Sequence, residues 1–224
     1  QMPMPVDWNT RAIRGTGAVA YYSGENELQL SAGMSQNDGV GQTNVGRNQF
    51  IDWKYNFVQA RFATPRWFLT AYRTQSQSGE SFALNRYADA WARNPSLSAD
   101  SLRMLSDWPS DGQIYAAEAQ HNFLLPAVRG TEVVWGAQVR RDVVSSDRQW
   151  LTDRLTGEDV TILQYGGYAQ TRTPLNSQFE MVLAGRVDKH ENYDVQFSPK
   201  VGLLFKPNAD QTLRVTFNRA FKSP

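Results

Sequence analysis

The chain has no cysteine, which removes a disulfide scaffold, a thiolate zinc site and a cysteine nucleophile together. Its two histidines, His121 and His190, form no two-histidine helix motif. No phosphate-binding loop and no clustered metal-ligand spacing accompanies them. The formal net charge is +1, so there is no sequence-independent pull toward nucleic acid. The chain also lacks any apolar run near the roughly 18 residues that a spanning helix needs, and QMPMPVDW has no signal-peptide layout. A helical membrane protein is excluded. A protein that crosses with strands is not, because a barrel strand needs only every second residue to be apolar.

Alternation with a period of two is what the chain does contain. In the stretch that closes it, Val201, Leu203 and Phe205 oppose Lys200, Gly202 and Leu204. After KPNADQ, Leu213, Val215 and Phe217 oppose Arg214, Thr216 and Asn218. This reads as an antiparallel hairpin. The same pattern recurs upstream in FEMVLAGRVDKHENY and VTILQYGGYAQTR, in TEVVWGAQVRRD and QIYAAEAQHNF, and in RAIRGTGAVAYYS and ELQLSAGMS. FIDWKYNFVQARF and RWFLTAYRTQ complete the set, with the facing of residues 50–75 left open because both parities carry aromatics.

These runs predict about ten antiparallel, up-and-down strands. Their connections alternate between short (GEN, ATP, LLPAVRG, TPLNS, KPNADQ) and long and polar (QNDGVGQTNVGRN, Ser76 to Asp111, VVSSDRQWLTDRLTGED, KHENYDVQ). One rim trimmed and the other elaborated is the layout of outer-membrane barrels. A soluble β-sandwich would also alternate, but its strands are typically about five or six residues, whereas a tilted crossing needs roughly nine to eleven. Aromatics support the barrel as two interfacial girdles. Phe62, Trp67, Phe123, Phe179 and Phe205 lie near the short turns, and Trp53, Tyr115, Tyr165 and Phe217 toward the long loops. Small residues on the polar face, Gly166, Ala184 and Gly202, suit a lumen that holds another object.

The segment from Tyr165 to Pro224 resembles the mid-barrel region of TonB-dependent outer-membrane receptors. The resemblance rests on G-x-Y-x-Q (Gly166, Tyr168, Gln170), A-G-x-R-x-D (Ala184, Gly185, Arg186, Asp188) and F-S-P-K (Phe197, Ser198, Pro199, Lys200). The run Thr212, Leu213, Arg214, Ala220, Phe221 and Pro224 completes it. It implies that residues 1–224 are a single partial domain, the N-terminal half of a 22-stranded barrel without its plug. The sheet is then expected not to close, leaving Ile13 to Ser23 and Thr212 to Phe221 as edges. The implied activity is active, TonB-dependent uptake of a scarce, bulky ligand, a ferric chelate, cobamide or glycan, across the outer membrane of a Gram-negative bacterium, with no cofactor. The implied partners are the plug and remaining strands of the parent chain, the TonB complex through that plug, and outer-membrane lipid. Two alternatives stay open: an autonomous ten-stranded outer-membrane enzyme of the omptin type, with Asp188 and His190 at its rim, and a passive porin.

Candidate site residues follow from the same pattern. Arg14, Arg140, Arg172, Arg186 and Arg214 project to the polar face with Glu118, Glu180 and Asp188. Arg140, Arg172, Glu180, Arg186, Asp188 and Arg214 are expected to face the lumen or the plug. Tyr87, Trp91 and Trp108 in the long insertion suit ligand capture as loop aromatics and, equally, packing under a neighbouring loop, with SADSLRML as a short helix. A hydrolase built from Asp188, His190 and Ser198 is a possibility of lower weight than structural pairing of Arg186 with Asp188. SQNDG and TGED hold calcium-friendly oxygens but read as ordinary turns.

Overall fold

The computed structural model describes residues 6–43 and 46–220, so the Phe221 and Pro224 positions of the motif lie outside the described residues. The strands are β1 (Arg11–Ser23), β2 (Asn26–Thr43), β3 (Gly46–Ala63), β4 (Trp67–Gln77), the short β5 (Phe82–Ala83), β6 (Asp111–Leu125), β7 (Thr131–Ser145), β8 (Val160–Pro174), β9 (Phe179–His190), β10 (Tyr193–Asn208) and β11 (Gln211–Asn218). Two helices, α1 (Leu84–Arg93) and α2 (Ala99–Ser106), follow β5. Ten strands form one antiparallel meander in sequence order, and β5 pairs with β3 beside that path. The sheet is open. Neither β1 nor β11 has a strand on its second side among the described residues, and both are exposed along their whole length.

Exposure along the strands runs opposite to that of a soluble sheet. In β2, Leu28, Leu30, Ala32 and Met34 are exposed while Glu27, Gln29, Ser31 and Gly33 between them are partly covered. Leu30 is 56% exposed and Val58 61%. Register carries this apolar face across the sheet, through Leu28–Phe62–Leu69 and on through Leu69–Ala119–Ala137. Hydrophobic side chains laid out in this way are unfavourable in water and are stabilised against an apolar environment such as hydrocarbon. The same register settles β4: Trp67, Leu69, Ala71 and Arg73 share the apolar side, and Phe68, Thr70 and Tyr72 the polar one.

The buried apolar side chains among the described residues lie within the insertion after β4. Phe82, Leu84, Tyr87 and Leu102 form that cluster, with Trp91 and Leu97 packed on it. The expected helix at SADSLRML is α2, and Ser98 caps it by accepting the Ser101 N–H at 3.2 Å. Helix α1, over LNRYADAWAR, was not anticipated. Its N-cap is Ala83, without a side-chain cap, so the usual start signal is missing.

Three expectations are corrected. QNDGVGQTNVGRN is not a loop, because β2 and β3 run on through it as a projecting hairpin paired as far as Thr43–Gly46. KHENYDVQ is not long: β9 ends at His190 and β10 begins at Tyr193, with a register shift before Gln196 absorbing the extra residues. Trp53 does not belong to the outer girdle, since it lies opposite Asn37 on the polar side. Tyr115, Tyr165 and Phe217 are exposed on the apolar side. Near the short turns, Trp67 lies tilted over His121 at 4.2 Å and meets Trp135 edge-on at 6.0 Å, and Phe179 stacks on Phe205 at 4.7 Å.

Candidate functional site

The polar face is a wall of paired charges. Register places Arg140, Arg172, Glu180, Arg186, Asp188 and Arg214 on it together. Arg186 holds both oxygens of Asp188, at 2.6 and 2.7 Å, and its guanidinium stands 5.9 Å over the Tyr168 ring. Arg140 donates to Asp142 at 2.7 Å. Glu180, 9% exposed, accepts from Arg172 through both its oxygens and from Lys206 at 2.8 Å. Arg214 stands on the exposed edge strand β11.

Glycines of this face receive side chains from the neighbouring strand. Tyr168 lies across Gly136, where an added Cβ would fall 2.6 Å from its Cζ. Its hydroxyl sits 2.9 Å from Gln120 Oε1 and 3.1 Å from Glu118 Oε1. At Gly166 the space is taken by the Arg186–Asp188 pair, and at Gly202 by Thr216.

The constellation of Asp188, His190 and Ser198 does not assemble as a catalytic unit. Asp188 is held by Arg186, and His190 stacks on Tyr193 at 4.4 Å while its Nδ1 accepts from the Asn192 N–H. Among the described residues no hydroxyl nucleophile is bonded to the His190 imidazole.

The long-loop rim carries a second arrangement. Between the pairs Asn37–Trp53 and Gly39–Phe50, β3 has one residue more than β2. The bulge is held at Asp38, which accepts the Asp52 N–H at 2.7 Å and Arg11 Nε at 2.8 Å, while Asp52 has φ 60°. The extra residue reverses the parity of β3, so Phe50 and Trp53 share a face despite being three apart. Their rings meet at 5.2 Å, and Trp108 joins them at 5.8 Å from Trp53 and 6.3 Å from Phe50. Trp53 donates through its indole N–H to Ser76 at 3.1 Å. Beside this trio lies a depression of about 450 Å³ bordered by Arg11, Asp38, Gln49, Phe50 and Arg103, a size common for small-ligand sites.

Of the anticipated loop aromatics, Trp108 belongs to this trio. Tyr87 is completely buried, its ring tilted against Phe82 at 5.9 Å, and Trp91 packs on the same core. Phe50, Trp53, Arg11 and Arg103 were missed. No alternation rule reveals them, because a bulge and a helix bring them together. The Trp150 indole N–H donates to the Pro109 carbonyl at 3.1 Å, tying the β7–β8 loop to the insertion.

That loop is itself ordered by Asp153, whose carboxylate accepts from Leu155 N and Thr156 N at 2.9 Å and from the Thr156 hydroxyl at 3.1 Å. The Thr156 N–H, then that of Leu155, holds the carboxyl below its ordinary value of 3.8. The depressed value means that the ordering contribution is present above the ordinary carboxylate pKa and is lost as pH falls through the folded one. Pepsin cleavage of the loop, counted relative to an unstructured peptide at each acidic pH, is expected to rise only below that range in the native protein and to be raised across pepsin's whole working range in Asp153→Ala.

Comparison with known proteins agrees with this architecture. Residues 5–224 match the sequence model of the family described as TonB dependent receptor-like, beta-barrel. The chain belongs to the TonB-dependent receptor β-barrel family. Among solved structures it is similar to the siderophore receptor PirA from Pseudomonas aeruginosa, with TM-score 0.69 and 13% identity, covering 96% of this chain and 34% of that one. It is also similar to a variant of the ferric enterobactin receptor PfeA from Pseudomonas aeruginosa, with TM-score 0.62, 15% identity and coverage of 96% and 34%. The alcaligin outer membrane receptor FauA from Bordetella pertussis gives TM-score 0.53, 14% identity and coverage of 93% and 35%. The chain thus spans about a third of the length of these receptors. No match was found among curated proteins.

Proposed function

We propose that this chain is part of the wall of an outer-membrane receptor that imports a ferric chelate with energy delivered through the TonB complex. The family match over residues 5–224 carries the reading. The choice of ferric chelate over cobamide or glycan is supported by the siderophore-receptor neighbours. In this reading the apolar face meets the membrane, the charged wall faces the lumen, and Arg140, Arg172, Glu180, Arg186, Asp188 and Arg214 contact the plug or the water around it. The rim trio with Arg11 and Arg103 makes first contact with the ligand. Aromatic faces and guanidinium groups suit a bulky anionic chelate with conjugated metal-binding groups.

Uptake of radioactive iron by cells carrying the full-length parent receptor tests the proposal. Uptake of the cognate chelate under iron limitation is expected to need both the receptor and TonB, and uptake independent of either would sink the reading. Arg103→Ala and Trp108→Ala are each expected to weaken chelate binding about tenfold, roughly 1.4 kcal/mol, with the receptor still assembled. Titration by quenching of intrinsic tryptophan fluorescence checks Arg103→Ala, and competition with labelled chelate checks Trp108→Ala.

A further inference from the structure

The ladder between β1 and β2 ends at the pair Arg11–Asp38, and the chain before it, residues 6–10, belongs to no strand. Its main-chain groups still need partners. Asp7 finds both of its own on one side chain: the Asp7 N–H donates to Gln49 Oε1 at 3.0 Å, and Gln49 Nε2 donates to the Asp7 carbonyl at 3.2 Å. The same Nε2 donates to the Gly39 carbonyl at 3.1 Å. Gln49 stands on β3 opposite Val40 of β2, so its carboxamide reaches past β2 to the segment that leads into β1. It bonds that segment as a neighbouring strand would.

Gln49 is 2% exposed, whereas Asp7, Trp8, Asn9 and Thr10 are all exposed. A buried group thus holds an exposed segment. On one side of Asp7, Val6 packs against the buried cluster of the insertion. On the other, Thr10 lies over Gly39, where φ is 148° and an added Cβ would fall 3.4 Å from the Thr10 hydroxyl. Arg11 then donates through Nε at 2.8 Å to Asp38, the carboxylate that also holds the bulge. Residues 6–11 are therefore a strap fastened at both ends, with the Gln49 carboxamide between. Asp7, Asn9 and Arg11 of this strap line the rim depression together with Phe50 and Arg103. Arg11 spends Nε on Asp38 while its side chain stays 60% exposed, which leaves its terminal amino groups for an anion.

We propose that Gln49 is a positioning residue for the rim: by tying the strap to the projecting hairpin it sets Arg11 in the wall of the depression, where that guanidinium meets an anionic ligand. The proposal rests on reading the rim as the ligand's first contact. The residue type carries the argument. A carboxamide offers a donor and an acceptor to the C=O and N–H of one residue. A carboxylate would repel the Asp7 and Gly39 carbonyls, a methionine would bond neither, and an asparagine is one methylene shorter. Filling space alone would need no donor and acceptor so placed.

The test uses the full-length parent receptor in mild detergent. Phenylglyoxal, which modifies exposed guanidinium groups, is applied, and adducts at Arg11 and Arg103 are counted by peptide mass spectrometry. Gln49→Met is expected to raise the reactivity of Arg11 relative to Arg103 about fivefold or more, by freeing the strap for local opening. Asp7→Pro removes the N–H that Gln49 accepts, at an exposed position, and is expected to act in the same way, so it decides if Gln49→Met does not assemble. An unchanged ratio, or equal acceleration at both arginines, would overturn the proposal. Binding of a ferric tris-catecholate chelate supplies the second readout. Gln49→Met and Arg11→Gln are each expected to weaken it, and Q49M/R11Q to bind no more weakly than R11Q, because one residue acts through the other. Combined with Trp108→Ala, the loss from Gln49→Met is expected in full. Losses that multiply in Q49M/R11Q as well contradict a role through Arg11. Absence of chelate binding to the native receptor would count against the transport reading, and the reactivity ratio would still decide the tie.

Discussion

Replacing Gly136 by leucine is expected to cut the assembled fraction of the parent receptor at least about tenfold, seen as loss of the heat-modifiable band on a cold gel. Even a Cβ at this position would lie 2.6 Å from the Tyr168 hydroxyl and 2.8 Å from the Ala119 carbonyl. The first obstacle is a side chain that can swing away, but the second is the backbone of the neighbouring strand. Expelling Tyr168 also strips Glu118 and Gln120 of the hydroxyl they share. Overpacking costs about 1–3 kcal/mol, and a hydrogen bond lost on a partly covered surface adds roughly 1 kcal/mol. The pair supplies its own control. Tyr168→Ala empties the space, so G136A/Y168A is expected to assemble better than the sum of its single changes predicts. Strict additivity would show that the ring is not what confines the glycine.

The second large effect is expected at Glu180. Its carboxylate lies between Arg172 and Lys206 and is nearly covered. Glu180→Gln leaves two cations facing each other across a neutral amide. Removing one partner of a buried pair costs about 3–5 kcal/mol, but Arg172 and Lys206 are 44% and 39% exposed at the side chain and can turn toward water. A loss of about 2 kcal/mol is therefore expected, measured as a lower urea midpoint. Adding Lys206→Met to the glutamine variant should restore part of it by removing the repulsion. If the midpoint is unmoved in E180Q, the network is screened and contributes nothing to stability.

Much of the sheet was legible because a strand with hydrocarbon on one side must alternate. Val201, Leu203 and Phe205 announce their face without ambiguity, and register then propagates facing to strands such as β4, whose own residues do not declare it. What failed was the reading of connections. Polar residues in QNDGVGQTNVGRN signal exposure to water, yet a hairpin projecting beyond the apolar strip is exposed to water and still paired. The helical insertion offers the opposite lesson. Leu84, Tyr87 and Trp91 are spaced three and four apart, the spacing of one helix face. That spacing argued for a packed stripe before it argued for ligand capture, and with Ala83 at the cap nothing else marked the helix. The rim trio was illegible for a further reason: whether Phe50 and Trp53 share a side depends on one unpaired residue that alternation cannot detect.

That bulge at Asp38 and Asp52 also bears on how the protein can vary over generations. A one-residue insertion in an unbroken hairpin would turn every side chain beyond it to the wrong side of the sheet. Here the parity of β3 is already reset between the apolar strip and the projecting tip. The two stretches are separate reading frames, so a lineage can lengthen, shorten or rewrite the tip while the part below it keeps its order.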